Sequence, residues 1–147
     1  MRPGIPSVLL AALLAPALTA AAQNTVTVSA NPPTMTVTTA VPGSEPTTVT
    51  NSTTTYTVQV STGASRRITG RLLAALPAGT SVTVTLAAPP GATSMGAVTL
   101  TTTEQDLVIN IPRPTNATRT ITYTFTSTVA AGVIATSSST IRLRLRT

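Results

Sequence analysis

Apolar side chains in this chain recur at every second position. Val26 and Val28 alternate with Thr25, Thr27 and Ser29, and Tyr56, Val58 and Val60 alternate with Thr57, Gln59 and Ser61. Ile68 and Leu72 frame Gly70, with Thr69 and Arg71 between them. Val82, Val84 and Leu86 alternate with Thr83 and Thr85, and Val98 and Leu100 with Thr99 and Thr101. Leu107, Ile109 and Ile111 share one face. Ile121, Tyr123 and Phe125 alternate with Thr120, Thr122, Thr124 and Thr126, and Ile141, Leu143 and Leu145 with Arg142, Arg144 and Arg146. Successive side chains on a β-strand point to opposite faces, so each run reads as a strand with one dry and one wet face. Of the 147 residues 34 are Thr, which is β-branched and polar and suits the wet face. No run carries the longer period of an amphipathic helix.

Turn residues separate the runs: Asn31-Pro32-Pro33, Pro42-Gly43, Thr62-Gly63, Pro77-Ala78-Gly79, Pro89-Pro90-Gly91, Thr103-Glu104-Gln105, Pro112-Arg113-Pro114 and Ala131-Gly132. Short, one-sided strands at this spacing predict an all-β fold, an immunoglobulin-like antiparallel β-sandwich of seven to nine strands packed dry face to dry face. The Cys and Trp markers of true immunoglobulin domains are absent, so the likeness is one of architecture. A transmembrane β-barrel also alternates, but it needs aromatic girdles and strands of ~10 residues. Two Tyr and one Phe cannot supply the girdles. The Thr/Ser/Pro stretch from Thr34 to Thr55 could read as a mucin-like stalk, but the alternation of Met35, Val37 and Thr39 and the nearby Val49 favour strands with a long loop.

The first 22 residues read as a secretory signal peptide. Arg2 and the terminal amine form a positive start, Val8 to Ala15 an apolar run, and Ala20-Ala21-Ala22 a small-residue cleavage site, so residues 23–147 form the single mature domain. The run falls short of the ~20 residues that span a bilayer, and no later segment reaches that length. Small exported domains often rely on disulfides; this chain has no cysteine and must be held by burial and sheet hydrogen bonds. A Lys-free, Ala/Arg/Thr-rich composition is that of a chain from a GC-rich bacterial genome.

The stretch Ala74 to Leu100, AALPAGTSVTVTLAAPPGATSMGAVTL, followed by ITYTFTSTVAAGV from Ile121 to Val133 and a closing alternating strand, resembles a group of uncharacterised secreted bacterial β-sandwich proteins. The resemblance runs from about Tyr56 onward. It rests on a Leu-Pro-x-Gly turn into a strand, a Pro-Gly turn and a terminal hairpin. It implies the fold and export, and brings no catalytic or binding residue with it.

Composition excludes most site chemistry. Without His, Cys or Lys there is no imidazole base, thiol nucleophile, Schiff-base lysine or ordinary zinc site. Ser is common but has no base to activate it, and no cofactor is implied. Glu104 and Asp106 flank Gln105 at an expected hairpin. They could be read as a glycosidase pair or the start of a calcium site, but they lack aromatic sugar platforms and enough ligands, which favours polar turn residues. Asn51-Ser52-Thr53 and Asn116-Ala117-Thr118 match the glycosylation pattern and read as ordinary loop residues in a bacterial chain.

The arginines are the one charged feature with geometry. Arg142, Arg144 and Arg146 fall on one face of the last strand, ~6.6–6.8 Å apart per two residues, and Arg66, Arg67 and Arg71 form a second group. Beyond residue 22, eight Arg face three acids. Such a stripe either keeps a sheet edge from templating aggregation, the reading preferred on sequence, or binds an anionic partner. The lack of stacking aromatics, together with export, argues against nucleic acid. The function expected is therefore an exported, non-enzymatic module with a structural or adhesion role at the cell surface or outside it, whose partners are itself, surface proteins or polysaccharide. The alternatives are a fibre subunit that donates Thr25–Ala30 to a neighbour's sheet, and a carbohydrate- or anionic-polymer-binding module. Cells expressing the full chain are expected to release a form beginning at Gln23. N-terminal sequencing checks this, and an exported form that keeps Met1 overturns it.

Overall fold

A computed structural model describes residues 23–37, 44–132 and 137–147. The signal peptide, Thr39 and the Pro42-Gly43 turn lie outside the described residues. Among the described residues there are nine strands: β1 (Thr25–Val28), β2 (Val49–Val60), β3 (Arg66–Leu72), β4 (Thr80–Leu86), β5 (Thr93–Ser94), β6 (Val98–Thr99), β7 (Gln105–Ile111), β8 (Thr115–Ser127) and β9 (Ile141–Arg146). One 3₁₀ turn, Val129–Ala131, follows β8. The strands make two open antiparallel sheets rather than one closed barrel, in the orders β1-β2-β8-β4-β6 and β5-β7-β3-β9. The fold is an all-β sandwich.

From β2 onward the chain changes sheet at every connection. The sequence reading placed a hairpin at Thr103–Gln105 and another at the C-terminus, and neither forms. β6 pairs with β4 while β7 pairs with β3, and β8 pairs with β2 and β4 while β9 pairs with β3. From Thr62-Gly63 onward the turn residues do fall between strands, and what they join are opposite sheets. Residues 31–37 hold no strand, although Met35 packs against the core. Of the stretch from Thr34 to Thr55, the described residues supply the first half of β2 and no other strand. Asn51 and Asn116 are strand residues rather than loop residues, and Asn51 Oδ1 accepts the Thr53 amide at 3.2 Å.

The core follows the alternation. Tyr56, Val58 and Val60 of β2, Ile68 and Leu72 of β3, Val82, Val84 and Leu86 of β4, and Ile121 and Tyr123 of β8 are buried between the sheets. Burial pushes the Tyr56 phenol up to about 12, against a smaller downward pull from the Arg119 guanidinium opposite it. Its hydroxyl donates to the Ala87 carbonyl at 2.7 Å.

Several expected core positions differ: Val28 is exposed, and Val26, Val98, Ile141, Leu143 and Leu145 are only partly buried against the core. On β7, Leu107 and Val108 are both buried while Ile109 is only half-buried. The β3–β7 register shifts on either side of Ile68, and Asn110 adopts φ 57°. A bulge sets two residues against one and resets which side chains face inward. Phe125 is half-buried, because it lies near the end of β8 and lines a cleft with Met35, Leu76 and Pro77.

β1 pairs with β2 of its own chain, from Thr25 opposite Gln59 to Val28 opposite Tyr56. Asn24 clamps its start: its Oδ1 accepts the Ser61 and Thr62 amides at 2.9 and 3.2 Å. Ile121→Ala is expected to cost about 2–5 kcal/mol and Thr124→Ala within about 0.5 kcal/mol, with Phe125→Ala between them. Urea unfolding midpoints check the order, and equal costs would refute the face assignment.

Candidate functional site

The outer face of the four-stranded sheet gathers most of the charge. β3 is an inner strand, hydrogen-bonded to β7 on one side and to β9, the edge strand, on the other. In the β3–β9 register Arg67 stands opposite Arg146, Thr69 opposite Arg144 and Arg71 opposite Arg142. Directly opposed residues of an antiparallel pair share a face. The stripe expected on β9 and two of the three upstream arginines therefore form one surface. Gly70 marks the other side of β3: a Cβ there would sit 2.6 Å from Leu107 Cδ1 and 3.3 Å from Leu143 Cδ2, so glycine is what lets the two leucines close beneath the arginines. Arg66 does not join the face. It neighbours Arg67 along the strand, and its guanidinium folds back toward Gly63.

Both carboxylates near this face are drawn onto it. The segment after β6 crosses from one sheet to the other and sets Glu104 above β3 and β9. Arg146 Nη2 donates to Glu104 Oε1 at 2.9 Å and to Oε2 at 3.0 Å, and Arg144 Nη1 lies 3.6 Å from Oε1. Thr69 Oγ1 donates to Oε2 at 3.5 Å. The hydrogen bond from Arg146, joined by the charges of Arg144 and Arg71, holds the Glu104 carboxyl below its ordinary 4.5. The bulge on β7 turns Asp106 outward opposite Thr69, where Arg67 Nη1 lies 3.5 Å from Oδ2. Arg67, Thr69, Glu104, Asp106 and Arg146 line a depression of about 530 Å³ with Thr147.

The balance stays positive. Five arginines face two carboxylates, and among the described residues neither Arg71 nor Arg142 makes an ion pair. Arg71 Nε is buried and has no hydrogen-bond partner among the described residues. Like charges placed directly opposite on a sheet destabilise it, and the Arg71–Arg142 pair carries that cost with no acid between. Glu104 and Asp106 are each engaged by an arginine, an arrangement that serves neither an acid–base pair nor a calcium shell. Among the described residues no group of three or more His, Cys, Asp or Glu side chains converges on a metal site.

The joining of the two arginine groups was hidden in the sequence, although strand parity carried a signal. Arg67 and Arg71 both lie an even number of residues from Thr69, whereas Arg66 lies an odd number away. No family model matches the chain, and no curated protein or solved structure is significantly similar to it.

The Glu104 shift has a definite pH sign. A carboxyl held down in the folded state contributes stability above its unfolded pKa and loses it as pH falls through the folded one. The gap in urea midpoint between the wild type and Glu104→Gln is therefore expected to be constant above about pH 6 and to close well below pH 4.5. A gap that persists in strong acid would show that Glu104 braces the fold without its charge.

Proposed function

We propose that this chain is an exported, non-enzymatic β-sandwich module that adheres to an anionic polysaccharide through the outer face of its four-stranded sheet. One observation carries the reading: Arg67 and Arg71 sit on β3, an inner strand with a partner on each side. Charge on an edge strand keeps another chain from pairing there, but charge on an inner strand guards no edge. A grid of guanidiniums, each able to fork two donors onto a carboxylate or sulfate, suits a polymer bearing such groups. The face carries no aromatic ring for stacking a nucleobase and no apolar patch for entering a membrane.

Edge protection is the second reading, and the position of β9 at the sheet edge favours it. It accounts for Arg142, Arg144 and Arg146, leaves Arg71 without a role, and leaves Arg67 with its ion pair to Asp106 alone. Strand donation through β1 is supported less, because β1 is paired and clamped within its own domain.

The readings separate on a heparin column. Adhesion through the face predicts that the wild type is retained and elutes at lower salt when Arg67 and Arg71 are both changed to Gln. Exposed charges are screened within about 8 Å at physiological ionic strength, so retention is expected to fall steeply with salt. Edge protection predicts no change for that double variant. It predicts instead that Arg142, Arg144 and Arg146, all changed to Gln, make the protein self-associate in light scattering.

A further inference from the structure

We propose that the arginine face holds two anion subsites, one open at Arg71 and Arg142 and one already filled by Glu104, which occupies Arg144 and Arg146 as a tethered stand-in for an acid group of the ligand. This rests on the reading of the face as a polyanion surface, and adds how the face is divided and what the polymer must displace.

The Glu104 carboxylate shows what the face does with an anion. Both of its oxygens accept from one Arg146 nitrogen, while Arg144 closes from the neighbouring outward position of the same strand. Two guanidiniums on one carboxylate leave a surplus positive charge, so Glu104 fills the subsite without neutralising it. Arg71 and Arg142 repeat the arrangement one position along, this time across strands. They stand directly opposite each other, with no ion pair between them and any carboxylate among the described residues, and with Arg71 Nε buried and unpartnered.

The two subsites lie along β9, the open one at Arg142 and the filled one between Arg144 and Arg146. Their centres are three residues apart, or roughly 10 Å at the rise of a strand. A single sugar acid fills one subsite. A polysaccharide with acid groups about 10 Å apart enters at Arg71 and Arg142, then displaces Glu104 and takes both. Glu104 thus sets an affinity threshold that selects polymers over monomers.

The experiment measures binding of a heparin oligosaccharide at fixed ionic strength by the wild type, Glu104→Gln, Glu104→Ala and Glu45→Gln, with circular dichroism to verify folding. Glu45 bonds the Val129 amide at 2.9 Å, away from the arginine face, so its variant makes the same change in net charge without freeing a subsite. Both Glu104 variants are expected to bind about fivefold tighter than the wild type, the scale of one or two exposed ion pairs, and Glu45→Gln within about twofold. Arg71 and Arg142, both changed to Gln in the Glu104→Gln background, are expected to cancel the gain. Glu104 variants that bind no tighter than Glu45→Gln overturn the stand-in while the adhesive face survives. Arg71 and Arg142 variants that bind unchanged overturn the open subsite. Failure of every variant, wild type included, removes the adhesive face and this inference with it.

Discussion

The sandwich stands on one interface, the dry layer between its two sheets. There is no cysteine to cross-link it, and its ion pairs lie at the surface, where such pairs contribute about 0–1 kcal/mol. What remains is burial of small branched side chains and of Tyr56 and Tyr123, held in register by sheet ladders. The alternation that dries the inner faces also fixes which residues reach water. Moving β3 or β9 by one position would put arginines into the core and leucines on the surface. The arginine face and the core are therefore one specification, written on alternate residues of the same strands.

The two outer surfaces have different chemistry. On the five-stranded sheet, threonines pair across strands, Thr57 with Thr118 at 2.7 Å, Thr83 with Thr99 at 3.2 Å and Thr50 with Thr124 at 3.3 Å. These ladders are uncharged and satisfy one another. On the four-stranded sheet, guanidiniums stand opposite guanidiniums and only part of the set finds acids. A chain selected only for solubility had the first pattern at hand for both surfaces. Concentrating arginine on one of them is a cost that local stability does not explain, and the proposed polyanion does.

Much of this was legible in the sequence, because period-two patterning is a local signal. The strands around Tyr56, Val84, Tyr123 and Leu143 and most of the core follow from it directly. Partners were not legible. Thr103 to Gln105 has the composition of a hairpin turn, yet it carries the chain to the other sheet, since turn chemistry says that a strand ends and not where the next one pairs. The bulge in β7 was also invisible, because Leu107-Val108-Ile109 is apolar throughout and does not say which two residues turn inward. The arginine face suffered most from this. Arg67, Arg71 and the β9 arginines are some 70 residues apart in sequence and meet only through the β3–β9 register.

The habit of changing sheet at every connection also governs when the chain can fold. β8 is the middle strand of the five-stranded sheet, needed by both β2 and β4, and β9 is the outer partner of β3. Neither sheet has its full set of ladders until residues 115–146 are in place. Ladders that close over long loops form late, because loop entropy must be overcome before distant contacts reward it. If the chain is exported as proposed, entering a new compartment N-terminus first, this lateness is an asset. The ladders β1–β2, β3–β7, β4–β6 and β5–β7 join residues before 115, but β2, β4 and β3 each lack one partner until β8 and β9 arrive, so the order of strands delays closure of the sandwich.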